Sequence, residues 1–214
     1  IRHIQSFSLR ITNATTSTFS FPGIPAVGAG HTVVGSMFFE SNTNVITSIT
    51  DDAGNTYTLL NSLQYGSTSA WHQSFIGINL IGGATQITIH CSGTPTFATQ
   101  YIFLDEYSNV VSTDGYDALY NSILTADPTS PTIVTTKDNA KIWASWSYDT
   151  GSGTLSAGST YALEVNNTIN GVFTEDRDFI THGSISATFH TTVSMTGVAQ
   201  IVALTPLYIL RPQI

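Results

Sequence analysis

Residues 46–60 read ITSITDDAGNTYTLL. ITSIT and YTLL are runs of the kind that line a pleated sheet, and between them stand two acids, a glycine and an asparagine. The stretch is a metal loop, a catalytic carboxylate pair, or a turn. A calcium loop of the helix–loop–helix kind needs oxygen ligands at alternating positions that close on a bidentate glutamate. After Asp51, Asp52 and Asn55 come Tyr57, Leu59 and Leu60 instead, which is already a strand. DDAGN therefore reads as a hairpin loop, with aspartate opening the turn and Gly54 adopting positive φ. A calcium ion held by Asp51, Asp52 and Asn55 together with another loop is the weaker alternative. No cofactor is expected, and calcium at this turn is the one alternative.

The same period of two runs outward from this hairpin. In HTVVGSMFFE, Val33, Gly35, Met37 and Phe39 share one face, and Val34, Ser36, Phe38 and Glu40 the other. FIGINLI, TQITIHC, YIFLDEY, KIWASWSY and AQIVALTP alternate similarly. FPGIP, IGGAT, SGTP and DTGSG separate them as turns. The expected fold is an all-β antiparallel sandwich of jelly-roll type, with about a dozen strands at 8–12-residue spacing. At most one short helix is expected, over DGYDALYNSIL, 114–124, inside a long loop, 108–132. Residues 1–206 read as one sandwich domain with no internal repeat. Within it, 1–26 form an N-terminal strand segment able to pair with a neighbour. Residues 207–214 read as a C-terminal extension.

Composition narrows the function. Charged residues make up only 9% of 214 and the net charge is −8, against an ordinary charged share of about a quarter. The six scattered basic residues exclude nucleic acid as an expected partner. No apolar run approaches the ~20 residues of a membrane-spanning helix. The single cysteine, Cys91, shares parity with Ile87 and Ile89 and reads as a small buried residue. The chain opens on Ile1 and shows no signal peptide, which reads as processing or an absent start.

DDAGNTYTLL, NLIGGATQITIHCSG, YIFLDEYSNV and GVAQIVALTP together resemble a recurrent β-sandwich module. It is found in bacterial secreted proteins and in phage structural and adhesion proteins. The resemblance spans roughly Val27 to Pro206 and implies fold and setting, without a catalytic set. It implies structural roles for Asp52, Gly54 and Asn55 and a core or hinge role for Glu106.

The chemical candidates are few. Glycoside hydrolysis needs two facing carboxylates ~5–9 Å apart. TEDRD places Asp176 and Asp178 on one face, with Glu175 and Arg177 on the other. Glu106 shares parity with Ile102 and Leu104 and is the best single buried acid. His182 and His190 lie eight residues apart on one strand face, ~26 Å and too far for one ion. For sugar stacking the candidates are Trp71, Trp143, Tyr116 and Tyr120. Trp143 points either outward among Ser145 and Ser147 or into a packed interface. Asn13 and Asn166 fit the glycosylation pattern without weight in so Asn- and Thr-rich a chain.

The first expectation is a non-enzymatic structural subunit of an extracellular or virion assembly, such as a capsid decoration, fibre or surface filament. Its partners are itself or other subunits, and Leu207, Tyr208, Ile209 and Leu210 form an assembly arm. The alternative is a carbohydrate-binding or adhesion module for surface glycans. A glycoside hydrolase or lyase is the third and weakest reading.

Overall fold

The computed structural model describes residues 1–12, 16–40, 45–64, 70–94, 99–150, 154–167 and 172–207. Among them are seventeen strands and no helix. The first eight are β1 (Arg2–Thr12), β2 (Thr18–Pro22), β3 (Thr32–Glu40), β4 (Ile46–Asp51), β5 (Thr58–Gln64), β6 (Ala70–Gly77), β7 (Gln86–Cys91) and β8 (Thr99–Ser108). The other nine are β9 (Val110–Thr125), β10 (Ile133–Thr135), β11 (Ala140–Thr150), β12 (Leu155–Ser156), β13 (Ala162–Asn167), β14 (Val172–Phe179), β15 (Gly183–Ile185), β16 (His190–Thr191) and β17 (Met195–Pro206). Every pairing is antiparallel. The all-β sandwich read from the sequence is present, with more strands than expected.

The strand order repeats. In the first half, the sheet β1-β8-β3-β6-β5 faces the sheet β2-β7-β4. In the second half, β9-β17-β11-β14-β13 faces the pairs β10-β15 and β12-β16. Matching β9 to β1, and onward in chain order, gives the same five-strand order in both halves. The second half's counterpart of β7 is interrupted: residues 183–191 pair through β15, a Thr129–Thr188 bridge and β16. The chain is thus two jelly-roll-ordered halves with one topology, a repeat that leaves almost no trace in the residues.

Two local expectations are corrected. Asp114–Leu124 lies within β9, and β9 pairs along β17 from Thr125↔Met195 to Val110↔Pro206. It is neither a helix nor a long loop. A strand wins here because β17 offers a full-length edge whose N–H and C=O groups need partners.

Each half has its own core. Phe21, Ile49, Ile87 and Ile89 from the small sheet meet Val33, Met37, Phe75, Ile102 and Leu104 from the large one. In the second half, Ile133, Leu155 and Phe189 meet Ile142, Trp146, Phe173, Ile201 and Ala203. The two large sheets then stack on each other. Their inward faces bury Val34, Ile76, Tyr107, Val110, Trp143, Val202 and Leu204 in a third cluster. Both large sheets are therefore covered on both faces, which is why β17 is buried along nearly its whole length.

The seam between the large sheets is also polar. Trp143 Nε1 donates to Asp105 at 2.6 Å, and Tyr107 OH donates to Asp176 at 2.9 Å. Lys141 reaches Asp176 at 3.2 Å, and Ser147 Oγ pairs with His72 Nδ1 at 2.9 Å. At one margin His3 pairs with Glu164 at 2.9 Å. Trp143 is wholly buried here, which overturns it as a sugar platform. It is an anchor within the chain, since a tryptophan with a buried N–H needs the acceptor that Asp105 supplies.

Candidate functional site

The acidic hairpin is a structural knot. Asp51 accepts the backbone N–H of Ala53 at 3.1 Å and of Asn55 at 2.9 Å. It also accepts Asn55 Nδ2 at 2.8 Å and the Tyr57 hydroxyl at 2.9 Å. Asp52 accepts the N–H groups of Thr85 and Gln86 and the Thr85 hydroxyl, which together lower its pKa, the Thr85 hydroxyl most. Asn55 crosses to both the N–H and C=O of Ile81. Gly54 has φ +85°, as the turn requires. These side chains are spent on tying the 51–57 turn to the 81–86 loop. Among the described residues no group of three His, Cys, Asp or Glu side chains is placed to hold a metal ion.

The other candidates are dispersed. Glu106 is buried and accepts the Gly28 N–H at 2.7 Å and a contact from His31 Nδ1 at 2.6 Å, with Gln5 bonded to its other oxygen. It ties the 26–31 loop to β8. Asp176 and Asp178 both bind Lys141 rather than facing a cleft. His182 and His190 pair separately with Asp138 and Asp127. Trp71 is half-buried against the first core, and Tyr120 packs on Val198. Tyr116 is 43% exposed on β9. Cys91 is half-buried, and burial raises its thiol pKa to about 11. Leu207 is 54% exposed, while Tyr208, Ile209 and Leu210 lie outside the described residues, as does Asn13.

One concavity gathers functional side chains that sequence reading did not assemble. It has a volume of about 310 Å³ and is lined by Ser159, Tyr161, Arg177, Ser186, Thr188 and His190. β14 supplies Arg177, and the other residues come from the 157–161 loop and the interrupted 183–191 strand. The Arg177 guanidinium lies 5.2 Å from the Tyr161 ring centroid and 5.7 Å from that of Phe179. This is stacking geometry for an arginine. Its Nε is buried with no hydrogen-bond partner, and no carboxylate ion-pairs with Arg177 among the described residues. Tyr161 OH donates to the Ser186 carbonyl at 3.2 Å.

The floor and lip of the groove are tightly built. Glu175, on the same face of β14 as Arg177, accepts the Gly158 N–H at 2.8 Å, and its other oxygen is buried without a partner. Burial, with Asp176 adding, raises its pKa to about 8 against the opposing Gly158 bond. At neutral pH this acid is therefore largely uncharged and does not offset the cation in the groove. A Cβ at Gly158 would stand 1.9 Å from the Thr188 carbonyl oxygen, so loop and strand meet backbone to backbone. Thr160 has φ +74°, an uncommon and strained conformation for a β-branched residue. The signal in the sequence was TEDRD, but its acids drew the reading and the arginine between them did not.

Comparison with protein-family models, with curated proteins and with solved structures returns no match for this chain.

Proposed function

We propose that the chain is a non-enzymatic structural subunit of an extracellular or virion assembly, of the kind that decorates a capsid or builds a fibre or filament. One observation carries the reading. β9 is 16 residues long, stands at the end of its sheet and pairs only with β17 among the described residues. β5 and β10 contact it from adjoining layers. It still exposes Val111, Tyr116 and Leu119. A long edge strand with apolar exposure is a template for strand addition by a second copy. Jelly rolls serve capsids and lectins alike, so the order of strands supports a setting and not an activity.

Native mass spectrometry and size-exclusion chromatography test this. The intact chain is expected to oligomerise, and Val111→Lys with Leu119→Lys is expected to return it to monomer while leaving it folded. Removal of residues 207–214 is expected to weaken oligomers without unfolding. A monomer at every concentration, unchanged by either alteration, would sink the proposal.

A second reading, a carbohydrate-binding or adhesion module, is favoured by the hydroxyl-lined groove around Arg177. A glycan array with no hits would count against it.

A further inference from the structure

We propose that the Arg177 groove binds the carboxylate of an acidic saccharide, with the guanidinium on the carboxylate and the wall hydroxyls on the sugar. The inference rests on the saccharide-binding reading and adds the ligand's charge class. Four observations converge on it. Arg177 is a fixed cation: stacked on Tyr161 and Phe179, it has a buried Nε without a partner and no ion-paired carboxylate among the described residues. Such a planar donor matches a carboxylate in two-point geometry. The walls carry Ser159, Ser186 and Thr188, donors and acceptors suited to sugar hydroxyls. At about 310 Å³ the groove lies at the lower end of the small-ligand range of ~300–1,000 Å³.

Charge strengthens the argument. The chain carries a net −8, so a free anion is repelled at long range and binds only where a local cation is fixed. On the arginine's own face of β14, Glu175 is held largely protonated, and the flanking Asp176 and Asp178 are both engaged by Lys141. His190 stands on the lip with Nδ1 engaged by Asp127, which sets its ring orientation.

The test is an amide-resolved NMR titration of the full chain with glucuronate and N-acetylneuraminate. Methyl glucoside, acetate and inorganic phosphate are the comparison ligands. The expected result is saturable shifts at residues 158–161 and 186–190 with an acidic sugar. Methyl glucoside, acetate and phosphate should each bind at least tenfold more weakly. Arg177→Gln should weaken the acidic sugar at least tenfold, the cost of one charge-assisted contact. Ser159→Glu, on the exposed lip, should do the same by repulsion and guards against misfolding of the arginine variant. Phosphate or acetate binding as well as the sugars would overturn the proposal. If acidic and neutral sugars bind alike and ignore both substitutions, the proposal falls while the saccharide reading stands. If no sugar of either charge binds, both fall.

Discussion

Asp51 shows how a single side chain decides between chemistry and architecture. Its two oxygens take four hydrogen bonds from Ala53, Asn55 and Tyr57. Tyr57 in turn packs edge-on against Phe75 in the first core, so the turn and the core are fastened at one atom. Burial first, and the Asp51 charge next, drive the Tyr57 hydroxyl's pKa well upward. Removing the acceptor strands several of these donors, each costing about 1–3 kcal/mol where water cannot replace it. Asp51→Ala is expected to lower stability by about 2–3 kcal/mol in urea melts, and Asp51→Asn by roughly half that. The turn role was legible because an aspartate before Ala-Gly-Asn has few other uses between two strands. The direction of Trp143 was not. On a strand covered on both faces, alternation separates two faces but does not say which is outside, and here neither is.

At the scale of elements, glycine separates two kinds of constraint. Gly54 has φ +85° with open space around its missing Cβ, so its constraint is conformational. Gly158 has no such φ, but a Cβ would meet a backbone carbonyl at 1.9 Å that cannot swing aside. Gly54→Ala is expected to cost about 1 kcal/mol through strain. Gly158→Ala is expected to cost about 1–3 kcal/mol and to open the groove by lifting the 157–161 loop off Thr188. Thermal melts rank the two, and shifts at Tyr161 report the opening. Strands such as β3, β11 and β17 were plain in the sequence, because apolar residues are concentrated there between turn signals. β9 was not: DGYDALYNSIL mixes polar and apolar residues and spaces Tyr116, Leu119 and Tyr120 like a weak helix. Only the edge of β17, 70 or more residues away, makes it a strand. The repeat is equally hidden. Its one readable trace is ITIHC at 87–91 and ATFHT at 187–191, equivalent strands in which Ile87 and Ile89 answer Ala187 and Phe189 in the two cores. Elsewhere the same topology is filled by different apolar residues, since packing asks for volume and parity and not for identity.

The whole molecule is held at a seam that carries ionisable groups, and its stability should follow their protonation. His72 is fully buried, and burial lowers its pKa to about 3. The unfolded chain takes up that proton below about 6.5, so stability falls as pH drops from there toward 3. His3 behaves oppositely. Burial alone would lower its pKa, but hydrogen bonds to Asp105 and Glu164 outweigh it and raise the pKa to about 10. Its contribution is full below the unfolded value near 6.5 and is lost as pH climbs through about 10. Glu175, outside the seam but wholly buried, has its pKa raised to about 8 by desolvation. The folded state then holds a proton the unfolded state gives up, so stability declines from roughly pH 4.5 to 8. The three trends intersect on the acid side of neutrality. Maximal stability is expected at roughly pH 5–6, measured as the denaturation midpoint across pH 3–10. Two variants separate the limbs: His72→Gln should flatten the acid side between about 6.5 and 3, and Glu175→Gln the decline between about 4.5 and 8. A profile flat from pH 4 to 9, or variants that shift it uniformly without changing its slopes, would mean that these buried groups do not govern how the two halves hold together.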